Sequence, residues 1–136
     1  SVLQGASREN VEGYVANAFS GNTDKQLNDQ LETKLKLGMK RNKLSQSIFE
    51  LASYSQIVVE WDELKVGGRV TGYLWEVRIT RNAYVGGNIE EVIPLMNYRF
   101  AKGIAPEKAD LKDEIDSALD KIFLVYLELP EPKKKK

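Results

Sequence analysis

Apolar positions recur along the chain with two periods, and the periods predict its elements. Val11, Tyr14, Val15, Ala18 and Phe19 fall at helical spacing behind Ser7, which can cap free backbone N–H groups. Gly21 follows and can close that helix. From Thr23 the pattern supports two readings. Leu27, Leu31, Leu35 and Met39 recur every four residues, yet Leu31, Thr33, Leu35, Leu37 and Met39 also alternate with charged and small residues. The reading adopted is a helical turn or two from Thr23 to about Asn28, then a strand to about Lys40, with a helix throughout as the rival. Asn42 to Tyr54 predicts a middle helix with Leu44, Ile48, Leu51 and Ala52 on one face.

Three β-rich runs follow: Gln56–Leu64, Arg69–Arg81 and Glu91–Lys102. Gly67-Gly68 forms the first turn and the segment Asn82–Asn88, with Gly86-Gly87, the second. Pro94 has no N–H to give a neighbouring strand, which places the last run at an edge or a bulge. Pro106 suits the first turn of a last helix, whose stripe is Leu111, Ile115, Ala118, Leu119 and Ile122. That helix should run to about Tyr126, and Leu129-Pro130-Glu131-Pro132 stops it. The expected fold is a single α+β domain over residues 1–129, followed by a Pro/Lys tail, 130–136. Its antiparallel sheet of three to four strands is packed on one side by N-terminal, middle and C-terminal helices. The length, 136 residues, suits one domain of about 100–150.

Strand periodicity assigns the two faces. Ile57, Val59 and Trp61 join Tyr73, Trp75, Val77 and Ile79 under the helices. The other face receives Glu60, Asp62, Glu76, Arg78, Asn97 and Arg99, whose signs alternate and can pair across strands. Glu60, Glu76, Arg78 and Arg99 are therefore candidate partner-binding residues, set against a plain solvated face. The segment 25–43 is locally basic, and Lys34, Lys36, Lys40, Arg41 and Lys43 are a second candidate contact, for an anionic or acidic partner. Lysines along a strand also guard an exposed edge against aggregation. Trp61, Tyr73 and Trp75 are either core or the wall of an apolar ligand pocket between sheet and helices.

Composition then removes most chemistry. The chain has no cysteine and no histidine, so thiolate sites, disulfides, serine–histidine triads and histidine acid–base work are excluded. Glu60, Asp62 and Glu76 would have to converge in a cleft to act as acid and base or to hold a cation. A flat face shared with Arg78 and Arg99 disfavours this. The two Gly-Gly pairs lead into strands rather than helices and read as hairpin loops, not phosphate cradles. No enzyme activity, metal or cofactor is expected.

The 20 basic and 20 acidic residues balance, but four of the basic ones are Lys133–Lys136. The body carries 16 against 20, an acidic balance that disfavours nucleic acid as the main partner. The lysine run offers a contact with an anionic membrane surface, against a plain solubilising tail. The longest apolar run, Ile122–Leu127, is six residues, against about 20 for a membrane span. The chain starts with Ser1 rather than Met, so a removed leader, a removed tag and a fragment of a longer chain all stay open. A periplasmic or secreted location is an expectation on that ground.

The helix–three strands–helix order expected from about 43 to 127 is similar to that of the double-stranded RNA-binding domain. That family uses basic residues at the start of its last helix. Here the start is Pro106-Glu107-Lys108-Ala109-Asp110, mixed to acidic, so the likeness is one of topology and does not license the function. The leading expectation is a non-catalytic binding or assembly module, an accessory component of a larger complex in the cell envelope or elsewhere, with a protein partner. A small-ligand or lipid-binding domain is the alternative, an RNA-binding module the second alternative, and homo-oligomerisation stays open.

Overall fold

In the computed structural model, which describes residues 8, 11–17, 24–44, 53–85 and 88–129, Leu27, Leu31, Leu35 and Met39 are all buried on one side of a helix, α1 (Lys25–Arg41). The strand expected up to Lys40 is thus helical. Thr33 and Leu37, which a strand would have grouped with Leu31, Leu35 and Met39, are exposed. The period of four wins because only a helix stacks those apolar side chains on one side and frees the positions between them. Asp24 caps this helix, its carboxylate accepting the N–H of Leu27 at 3.0 Å. Lys40 and Arg41 occupy the last turn, where positive charge suits the negative end of the helix dipole.

The N-terminal helix is a second correction. Val11–Asn17 forms strand β1. The segment Val11-Glu12-Gly13-Tyr14-Val15 carries two β-branched residues and a glycine, poor material for a helix interior. Val11 is fully buried and Val15 packs against the core, as alternation requires. The two ends of the middle helix expected over Asn42 to Tyr54 are the third correction. Asn42 ends α1, Lys43 turns with a φ of 57°, and Ser53–Tyr54 already belong to β2. Residues 45–52 lie outside the described ones, as do Gly86-Gly87 and the tail 130–136. The described residues contain two helices, not three.

Strands β2 (Ser53–Val66), β3 (Arg69–Val85) and β4 (Asn88–Ala105) form an antiparallel meander, and helix α2 (Lys108–Tyr126) follows it. Gly67 and Gly68 close the first hairpin with φ of 59° and 80°, the left-handed pair that a two-residue turn between twisted strands demands. β1 adds to the far side of β2 in parallel, Val11 opposite Ser55, so the sheet is mixed and runs β1-β2-β3-β4. A parallel neighbour requires a crossover, and α1 lies in it. Among the described residues β4 is an edge strand, and Pro94 sits in it opposite Asn82, consistent with its missing N–H.

Both helices cover one face of the sheet, α1 over β1 and α2 over β3 and β4, with the helices in contact. The core between them holds Ile57, Val59, Trp61, Trp75, Val77 and Ile79, which is the facing that alternation assigned. The α2 stripe Leu111, Ile115, Ala118, Leu119 and Ile122 is buried as expected, although Pro106 precedes the N-cap, Glu107, and lies outside the first turn.

Two long-range polar ties fix the helix ends. Lys108 donates to Asp24 at 2.7 Å, joining the starts of α1 and α2. That hydrogen bond, then the N–H of Leu27, holds the Asp24 carboxyl below its ordinary pKa, and Asp24 in turn holds Lys108 above its own. At the other end Arg8 is buried and donates to the carbonyls of Tyr126 at 3.3 Å and Leu127 at 2.7 Å. The last turn of α2 has no basic residue of its own, and Arg8 supplies the cation its terminus favours. The Tyr126 ring is fully buried, and burial raises its phenol pKa.

Candidate functional site

The face of the sheet turned away from the helices gathers the charged residues that alternation assigned to it. On that face β2 presents Glu60 and Asp62, β3 presents Leu74, Glu76 and Arg78, and β4 presents Asn97, Arg99, Lys102 and Ile104. Cross-strand register arranges them in rows: Asp62–Leu74–Ile104, Glu60–Glu76–Lys102 and Val58–Arg78–Arg99. Glu60 and Glu76 are direct neighbours, a like-charge pair that repels. Two arginines from the adjoining row relieve it. Arg78 pairs with Glu60, and Arg99 Nε donates to Glu76 at 2.7 Å. Arg78 also donates to Asn97 at 3.3 Å. The Arg78–Glu60 pair is partly shielded, at 22% and 24% exposed, and the Arg99–Glu76 pair is more open, at 56% and 27%.

Beside this ladder lies an open groove of about 490 Å³. Leu74 and Ile104, paired across β3 and β4, are its exposed apolar residues at 42% and 61%, Trp61 and Trp75 also line it, and Asp62 and Lys102 stand on its two sides. Lys102 makes no ion pair among the described residues. Neighbouring on β2 and β3, a hydrogen-bonded cluster continues the polar surface: Thr80 and Asn82 donate to Gln56 at 3.1 and 3.3 Å, and Gln56 donates to Glu12 of β1 at 3.3 Å.

Leu74, Lys102 and Ile104 are site residues the sequence reading missed. Leu74 was legible, since period two from Glu76 puts it on the same face. Lys102 and Ile104 were not. Val77 pairs with Ala101 and Arg78 with Arg99, so Phe100 is an extra residue that reverses the parity of β4.

The structure sets the basic candidates apart from this face, while Trp61 and Trp75 belong to the core and also line the groove. Lys34, Lys36, Lys40 and Arg41 lie on α1, in the opposite layer, and Lys43 in the turn after it. Lys34 pairs with Asp120 of α2 at 2.9 Å and Lys36 with Glu32 at 3.1 Å. Trp61, Tyr73 and Trp75 point into the core. The Trp61 and Tyr73 rings stand 6.2 Å apart, and both indole N–H groups are engaged: Trp61 donates to Asn28 of α1 at 2.7 Å, Trp75 to Glu114 of α2 at 3.3 Å. The Trp75 ring lies against Gly103, its cross-strand partner, where a Cβ would stand 2.6 Å from the indole nitrogen.

Among the described residues no group of three or more acidic, His or Cys side chains is placed to hold a metal ion, and no helix is long and apolar enough to cross a membrane. The arrangement is a small α+β domain with a charged, grooved sheet face. No protein-family model and no curated protein matches the chain. Among solved structures it is similar to the rare lipoprotein B from Shewanella oneidensis, at 12% identity and a TM-score of 0.32, over 88% of this chain and 94% of that one.

Proposed function

We propose that the chain is a non-catalytic binding module, an accessory component of a larger assembly, which docks a protein partner on the outer face of its sheet. One observation carries the reading. The helices cover a single face, and the other holds two ion pairs bridging three strands beside a groove lined by exposed Leu74 and Ile104. Exposed ion pairs stabilise a fold by only about 0–1 kcal/mol each, so folding alone gives little reason for the ladder. An apolar centre rimmed by paired charges is the anatomy of a protein interface. The basic residues of α1 are the weaker candidate. Lys34 and Lys36 already have acidic partners, and Lys40 and Arg41 complement the helix end.

Site-specific photo-crosslinking in the native cells tests the proposal. A crosslinker at Leu74 or Ile104 should give a discrete adduct, and one at the exposed Lys121 of α2 should not. Adducts from Lys121 alone, or none from the sheet face, would overturn the reading.

A further inference from the structure

Among the described residues β4 ends the sheet. An edge strand directs alternate N–H and C=O groups outward, away from its one neighbour, and no described strand takes them. Any strand added there would extend each cross-strand row by one position. Those rows end on Ile104, Lys102 and Arg99. Ile104 is 61% exposed, Arg99 is 56% exposed, and Lys102 is exposed with no ion pair among the described residues.

We propose that the outer edge of β4, over residues 96–105, receives an extended segment of the partner bearing an apolar side chain beside Ile104 and acidic ones beside Lys102 and Arg99. This rests on the reading of the outer face as the docking surface and names the chemistry that face selects. Backbone hydrogen bonds supply affinity in such strand addition, and the side-chain row supplies choice. The row also disfavours pairing with a second copy of this chain. In-register parallel pairing sets Lys102 against Lys102, and antiparallel pairing centred on this stretch sets Lys102 against Arg99. Like charges directly opposite destabilise a pair of strands, so the same two cations repel the chain's own edge and attract an acidic one. Their position at the rim makes the attraction dependent on salt.

The probe is a synthetic extended peptide of about nine residues, a common strand length. It carries Leu and two Glu at the spacing of Ile104, Lys102 and Arg99, and a counterpart carries Lys in place of both Glu. Backbone-amide NMR shifts and hydrogen exchange are read on the whole protein. The acidic peptide should slow exchange of amides within 96–105, and the basic one should bind about tenfold more weakly or worse. Lys102→Glu, a change at an exposed side chain with no ion pair among the described residues, should narrow or reverse that preference. Equal affinity for the two peptides, or no slowed amide within 96–105, would overturn the inference. So would self-association through β4 in sedimentation of the protein alone. If crosslinks from Leu74 persist while the β4 amides stay unprotected, the partner sits on the face and not on the edge. The edge inference then fails and the docking reading stands.

Discussion

Replacing Gly38 with alanine should destabilise the protein, against the ordinary trend for helices. In a helix interior alanine is favoured over glycine by about 0.8–1.0 kcal/mol. At Gly38 the added methyl would enter the ring of Phe123 from α2, colliding with Cε2 and Cζ and standing 2.8 Å from Cδ2. Phe123 is 5% exposed and belongs to the core, so the ring cannot yield without dragging its neighbours or leaving its site. Overpacking of this kind costs about 1–3 kcal/mol, and interpenetration of three ring atoms puts it at the upper end. Less the propensity gain, the net loss is about 2 kcal/mol. For a domain between the small and medium size classes that lowers Tm by about 6–10 °C. Urea unfolding followed by tryptophan fluorescence is a suitable assay, because Trp61 is tied to α1 and Trp75 to α2. Phe123→Leu in the same chain should recover most of the loss, and the double-mutant cycle should show a coupling above about 1 kcal/mol. A Gly38→Ala protein as stable as the parent, or more stable, would refute the close approach of the two helices.

Trp75→Ala should cost about 3–5 kcal/mol in the same denaturation assay, since the ring is 8% exposed and joins β3 to α2. Arg8→Ala removes a charged donor from two helix-terminal carbonyls and should cost about 1.5–3 kcal/mol, with faster amide exchange confined to the last turn of α2. Asp24 is held below its unfolded pKa of about 3.9, so its pair with Lys108 stabilises fully above that pH and the gain is lost as pH falls through the lower folded value. Asp24→Asn should keep much of the helix cap yet flatten the pH dependence of stability below about pH 4, read by urea melts at each pH.

The meander and its inner face were legible because alternation over three consecutive runs is hard to mistake, and Gly67-Gly68 marks the turn between the first two. The Glu60, Glu76, Arg78 and Arg99 face followed from the same parity. Two of the corrected elements, α1 and β1, share one cause, a segment that satisfies both periods. Leu31, Leu35 and Met39 lie on an i, i+4 row and on an i, i+2 row at once, and the choice between them is made by α2 and β1 packing against the helix. Val11, Tyr14 and Val15 are likewise spaced for a helix, and only pairing with β2, remote in sequence, makes them a strand. Nothing in the local sequence announces that pairing, nor the bulge at Phe100 that turns Lys102 outward. Arg8 is invisible for the same reason, since its partners lie at the opposite end of the domain.

The parallel attachment of β1 carries a consequence for the order of assembly. The β2–β3 hairpin closes through two residues, whereas Glu12 and Gln56, neighbours across β1 and β2, are 44 residues apart, and Arg8 meets Tyr126 across 118. The entropy of closing a loop rises with its length, so contacts of high contact order are met late unless strong local structure brings them together. The meander and α2 can form as a nucleus from neighbouring segments, with β1 and the Arg8 clasp arriving last. Substitutions in the β2–β3 hairpin should then slow refolding, and substitutions at Val11 or Arg8 should mainly hasten unfolding. Until β1 docks, the outer edge of β2 stands open over residues 55–61, so a nascent or stressed chain is most exposed to strand exchange on the side opposite β4.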